Sequence, residues 1–405
     1  MTKLQQAIIF INYFSLGIII PVLNLILLER GASLQTLPML MALYAVTVLC
    51  FELPSGICAD LYGRKTVFLI SCGFQLLSLL LLLMANNILL LIFVIVFNGL
   101  SRSFASGSLD ALIIDQALAI HGDDSLSKTT SRLAILEESG VAVGSIAGGI
   151  ISYIGGTNNT NIVLRGILIA AILILCIIYV KEIPCHEGEE KRIPLLDHLK
   201  EARKVVFATP KFKLIFAGVF FIGFLLITIE TYWQSAFMGI SKLPNSTWAL
   251  GIITFLGFIA AASGNSIANK LLGKFRSQQW RVYNICRIML AVCIIVFAVQ
   301  NNSAGFILGY IMIYLILGTG NVAENTLINR YTPNHMRASI LSLSSFITQI
   351  GVMFASLFSS IMIRRLHFSG LWIVTGILLG GYALFVTIIT YRSKTKETDI
   401  LSSDE

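Results

Sequence analysis

Runs of about 20 consecutive apolar residues, the length needed to cross a hydrocarbon core, recur along the entire chain. No other feature constrains its fold as tightly. In lipid every backbone polar group must be satisfied internally, so only helices or a closed barrel can span. Barrel strands are about 10 residues of alternating polarity. The runs here are twice that and continuously apolar, which selects helices. Twelve spans are expected, at 4–28, 35–60, 66–85, 88–118, 133–154, 162–180, 214–238, 248–271, 281–299, 305–326, 338–363 and 370–391.

Composition agrees. Of 405 residues 56% are hydrophobic and 12% charged, with a mean hydropathy of +0.84. A soluble domain carries about 25% charged residues, so a disordered chain and a water-soluble enzyme are both disfavoured. The seven cysteines form no C-x-x-C pair and sit mostly inside apolar runs, as small buried hydrophobes do. The five histidines fall in predicted loops or at span ends, without metal-ligand spacing. Neither a metal nor a cofactor is expected. The first apolar segment lacks a small-residue cleavage site and reads as a span, not a removed signal.

The predicted organisation is an N-terminal six-helix half over 1–180, a linker over 181–213, a C-terminal six-helix half over 214–391 and a tail over 392–405. Basic residues orient it. With the N-terminus cytoplasmic, 22 of the 29 Lys and Arg lie on the cytoplasmic side and five outside, Arg165 among the five. Arg102 and Arg287 fall within spans. Both termini then face the cytoplasm, and Trp248 and Trp372 begin spans at the outer interface. In the linker, Leu195, Leu199, Ala202 and Val206 recur at helical spacing around Lys200, Arg203 and Lys204. That pattern suits a short basic helix lying on the inner leaflet, or equally a solvated linker helix.

Two six-helix halves fit a transporter built from repeats, with substrate bound near the midplane. No Gly-Lys-Ser/Thr phosphate loop is present, so ATP hydrolysis within this chain is not the energy source. The strongest local motif runs from Gly56 through Asp60 to Gly63, Arg64 and Lys65. Gly56 permits close helix approach, Gly63 a tight reversal, and Arg64 and Lys65 anchor the turn. Asp60 is set to accept from those cations or from a helix N-terminus. The spacing G-x-x-x-D-x-x-G-R-K, after Phe51-Glu52-Leu53-Pro54-Ser55, resembles the loop between spans 2 and 3 of the major facilitator superfamily; Leu61 departs from its usual basic residue. Gly140, Gly144, Ser145, Gly148 and Gly149 in span 5 are similar to that family's antiporter signature, with Ser145 replacing Pro. The resemblance implies an all-α fold of twelve transmembrane helices in two halves, and proton-coupled export. Simple helix packing is the alternative for span 5, whose glycines at i, i+4 and i+8 let two backbones approach. Gly251, Gly257, Ala261 and Gly264 offer a matching surface on span 8.

Charges inside a bilayer are costly and usually face a cavity. Asp110 is the first proton-site candidate. It follows Arg102 by eight residues and so shares its helix face. Glu230, Arg102 and Glu137 are further coupling candidates, and Asp115, Glu137 and Glu138 lie close to the cytoplasmic interface. Glu230 lies beside Thr231-Tyr232-Trp233-Gln234, a setting suited to an organic cation. Asn12, Tyr13, Trp233, Glu324 and Gln349 are candidate cavity residues. The expected protein is a monomeric bacterial inner-membrane exporter of a small amphipathic or cationic compound. Its partners are that substrate, protons and the lipid bilayer, with no nucleic acid. An importer or symporter on the same fold, or a membrane sensor or assembly protein, are the competing readings.

Overall fold

The computed structural model describes residues 1–106, 108–122, 126–180, 210–241, 246–275, 278–332 and 337–401. The amphipathic segment expected within the linker lies outside the described residues. Among the described residues every regular element is a helix. The first six spans hold α1 (Lys3–Ile19), α2 (Leu23–Glu29), α3 (Thr36–Tyr62), α4 (Arg64–Met84), α5 (Ile88–Ala105), α6 (Leu109–His121), α7 (Leu126–Gly155) and α8 (Asn159–Tyr179). The remainder are α9 (Pro210–Ile240), α10 (Thr247–Lys274), α11 (Gln279–Ala298), α12 (Ser303–Tyr331) and α13 (Arg337–Leu401).

These helices make twelve spans. Among the described residues nine helical segments are long and apolar enough to cross a membrane, or ten when α1 and α2, bent by 49°, are one span. Pro21 sits in that bend and can donate no hydrogen bond to continue the helix. The α13 segment is interrupted at His367, whose φ of 52° is left-handed, and it therefore supplies spans 11 and 12. The twelfth is α3, apolar over Thr36–Glu52. The chain is an all-α membrane protein, as its apolar runs require.

The chain divides into two compact units. One holds Met1–Glu190 with Thr231–Phe258, the other Lys191–Glu230 with Ile259–Glu405. In the first, α1 packs along α7 and α8, α3 along α5, and α4 along α5 and α8. The glycines of span 5 face span 1. A Cβ on Gly144 would strike the Phe14 carbonyl oxygen and sit 3.0 Å from Gly17 Cα; one on Gly140 would sit 2.9 Å from the Phe10 oxygen. Gly148 abuts the Ile18 carbonyl. The other edge of α7 meets span 8, where a Cβ on Gly149 would lie 2.8 Å from Gly251 Cα and the Ser145 hydroxyl is 3.4 Å from the Gly251 oxygen.

The second unit repeats these relations. Gly223 of α9 abuts the Thr348 carbonyl and Gly351 of α13 abuts that of Phe220, so span 7 meets span 11 as span 1 meets span 5. Gly264 of α10 abuts the Leu315 carbonyl, and Gly318 of α12 that of Ala261. Small residues let backbones dock where lipid supplies no hydrophobic drive for association. The repeat extends to helix starts. Asn87 caps α5 by accepting from Leu90 N at 3.0 Å, and Asn302 caps α12 by accepting from Gly305 N at 2.7 Å.

Four expectations change. Arg165, counted among the outer-side cations near the start of span 6, lies in the second turn of α8 and is 6% exposed, which lowers the outer basic count to four. Trp372 is 2% exposed and donates to the Thr228 oxygen at 3.0 Å, so it is a core residue, not an interfacial ring. Span 4 is not one continuous helix, because Ser106 turns extended (ψ 124°) and α6 restarts at Leu109. Gly56 has nothing within 4 Å of its would-be Cβ among the described atoms, so it mediates no close approach.

Candidate functional site

A cavity of about 560 Å³ opens inside the first unit, walled by spans 1–6 and Phe258. Asn12, Tyr13, Arg102, Asp110 and Glu137 all line it. The break in span 4 makes this possible. Ser108 donates its hydroxyl to the Ala105 oxygen at 2.7 Å, and Asp110 enters the first turn of α6, where free amides favour a carboxylate. The Tyr13 hydroxyl donates to Asp110 Oδ2 at 3.2 Å. Asp110 also interacts electrostatically with Glu137 and Arg102. Two carboxyls, one phenol and one guanidinium thus share a polar recess, although Arg102 and Asp110 form no ion pair among the described residues. Helical spacing predicted their common face, but a non-helical turn delivers it. The Ser106-Gly107-Ser108 triplet, rich in turn formers, is the signal that marked the break.

A second polar group borders the same cavity. Arg165 Nη2 donates to Gln75 Oε1 at 3.2 Å, and the Ser101 hydroxyl is 3.4 Å from that same oxygen. Sequence reasoning missed both Arg165 and Gln75 as site residues. The Gln in an apolar run, facing an Arg two turns into span 6, was the available cue.

The loop motif is anchored by partners distant in sequence. Gly63 adopts φ 89°, the left-handed region that glycine tolerates, and joins α3 to α4 without an intervening residue. Arg64 Nη1 lies 2.6 Å from Asp115 Oδ2, and Lys65 Nζ donates to the Ile177 oxygen at 3.1 Å. The Asp60 side chain lies outside the described set.

The second unit holds a separate charged cluster. Arg287 Nη2 is 2.8 Å from Glu324 Oε2, fully buried on the arginine side. Tyr283 donates to the same carboxylate at 3.4 Å and pairs with the Tyr382 hydroxyl at 2.7 Å, while Tyr382 reaches the Leu214 oxygen at 2.8 Å. Spans 7, 9, 10 and 12 are tied through this chain. Glu230 is half-buried and interacts electrostatically with Tyr310. Its neighbours Tyr232 and Trp233 are 0% and 1% exposed, so neither ring presents a free face to a ligand. Gln349 is half-buried in α13 and does not line the cavity of the first unit.

Apolar helices thus enclose a cavity lined by ionisable groups within the first unit. The chain belongs to the Major Facilitator Superfamily, whose profile matches residues 7–355. An uncharacterized MFS-type transporter of Bacillus subtilis, YxaM, is 23% identical over 393 residues, covering 95% of this chain and 94% of that one. Multidrug resistance protein 2 of the same organism is 23% identical over 402 residues, covering 96% and 94%. Among solved structures, a mutant form of the nucleoside transporter NupG superposes with a TM-score of 0.80 at 13% identity, over 95% of this chain and 98% of that one. A bacterial homolog of the human lysosomal transporter Spinster superposes with a TM-score of 0.73 at 14% identity, over 95% and 94%.

Proposed function

We propose that this chain is a proton-coupled exporter of a small amphipathic compound. It works by alternating access in a bacterial cytoplasmic membrane, with both termini cytoplasmic. The observation that carries the reading is the Tyr13–Asp110–Glu137–Arg102 cluster on the wall of the cavity. A carboxylate with a hydroxyl donor, a second carboxylate and a cation nearby can hold a proton or release it as its surroundings change. Proton uptake by Asp110 from outside and proton loss inward switch the cavity between its two access states and so drive substrate outward. The relative named as a multidrug resistance protein supports export, as does the span 5 pattern.

The test is dye accumulation in pump-deficient bacterial cells expressing the chain, with one cationic and one anionic amphipathic dye. Lowered accumulation of either dye, restored by a protonophore and by Asp110→Asn, is the expected result. Accumulation equal to that of empty cells for both dyes, or efflux that survives in Asp110→Asn, overturns it. Raised accumulation that a protonophore lowers indicates import and likewise overturns it.

A further inference from the structure

Arg165 is a cation inside the bundle without a counter-ion among the described residues. It is 6% exposed, sits in the second turn of a transmembrane helix, and no described carboxylate lies within ion-pair distance. Its protein hydrogen bond goes to the neutral Gln75. Its Nε is buried without a partner, and so is the Gln75 amide nitrogen. Both unsatisfied atoms are donors, and both side chains line the cavity. Ser101 accompanies them at 3.4 Å from the Gln75 oxygen.

An unpaired buried charge is strongly destabilising, and a buried donor without an acceptor adds to that. Intramembrane arginines therefore persist where they act on a ligand or pathway. The missing complement is an acceptor with negative charge and two or more oxygens. A guanidinium fork matches a carboxylate or phosphate through parallel hydrogen bonds. The carboxyl groups of Asp110 and Glu137 face the Tyr13 side of the cavity instead, so the recess carries both signs of charge at separate places.

We infer that Arg165 and Gln75 form an anion subsite that binds the acidic group, carboxylate or phosphate, of the transported compound. The inference rests on the reading of this cavity as the transport site and narrows its substrate to organic anions or zwitterions. A lipophilic cation would leave Arg165 unmatched whatever it gained from the carboxyl side of the cavity.

Purified full-length chain in detergent tests this by thermal unfolding with four matched probes: benzoate, phenyl phosphate, benzylamine and benzyl alcohol. Benzoate or phenyl phosphate is expected to raise Tm, and the larger shift identifies the acidic group; benzylamine and benzyl alcohol leave it unchanged. Arg165→Gln should weaken the anion's apparent affinity by roughly tenfold to a hundredfold, as loss of a charged hydrogen-bond pair does. Arg165→Lys should retain part of it. Gln75→Leu, which keeps the cation, guards against misfolding of the arginine variants and should weaken binding less. The subsite is overturned if no anion shifts Tm, if benzylamine shifts it as much, or if Arg165→Gln binds the anion as the parent does. Thermal unfolding reads binding alone and dye accumulation reads coupled transport, so a failure of anion recognition and a failure of proton coupling are read separately.

Discussion

Arg64 at the start of span 3 and Asp115 in the second half of span 4 are joined at 2.6 Å, so the turn at Gly63 is held by a residue some fifty positions downstream. The side chains are 29% and 45% exposed. An ion pair that wet contributes about 0–1 kcal/mol. The pair is therefore better placed to position than to stabilise: it ties the turn to the middle of α6, the helix whose first turn carries Asp110.

Arg64→Ala and Asp115→Asn should each lower unfolding free energy by less than about 1 kcal/mol yet reduce transport substantially, with the double variant no worse than either single. A double-mutant cycle on transport rate checks this. Strictly additive losses would mean that the two residues act apart.

Gly144→Ala introduces a Cβ against the Phe14 carbonyl and 3.0 Å from Gly17 Cα. Backbone cannot yield as a side chain tip can, so the overpacking should cost about 1–3 kcal/mol. Gly56→Ala meets no described atom within 4 Å. It should be neutral, or stabilising by up to about 1 kcal/mol from helix propensity. Thermal unfolding of both variants in one detergent separates them; equal losses would contradict the packing described.

Removing Glu324 leaves Arg287 buried and uncompensated. Glu324→Leu alone should cost about 3–5 kcal/mol, whereas Arg287→Met with Glu324→Leu should recover most of the loss. The comparison is made by denaturation midpoint. A double variant as unstable as the single would show that the Tyr283 and Tyr382 hydrogen bonds, not the charges, hold spans 9, 10 and 12 together.

Tyr13→Phe deletes the hydroxyl that donates to Asp110 at 3.2 Å. A part-buried hydrogen bond of this kind contributes about 0.5–1.5 kcal/mol to stability, so folding should survive. The pH dependence of transport should shift while substrate affinity stays near that of the parent. An unchanged pH profile would detach Tyr13 from the coupling group.

The features legible in the sequence are those encoded in neighbours along one chain. Span lengths follow from uninterrupted apolarity, because lipid demands a self-satisfied backbone over a set thickness. The Gly63 reversal and the Gly140–Gly144–Gly148 stripe follow from backbone freedom and the helical period. Glu324 and Arg287 were visible as charges in apolar runs. Their pairing was not, because which span faces which is settled by packing. Likewise the stripe announced a close approach, but only the fold shows that span 1 fills it while Ser145 and Gly149 take span 8. Arg165 shows the limit most clearly. Near the start of a span it reads as an outer-side cation, since a charge that close to a helix end can reach water at small cost. The tertiary structure turns it inward against Gln75, because neighbouring helices close off the route to water and leave a polar cavity as its remaining partner.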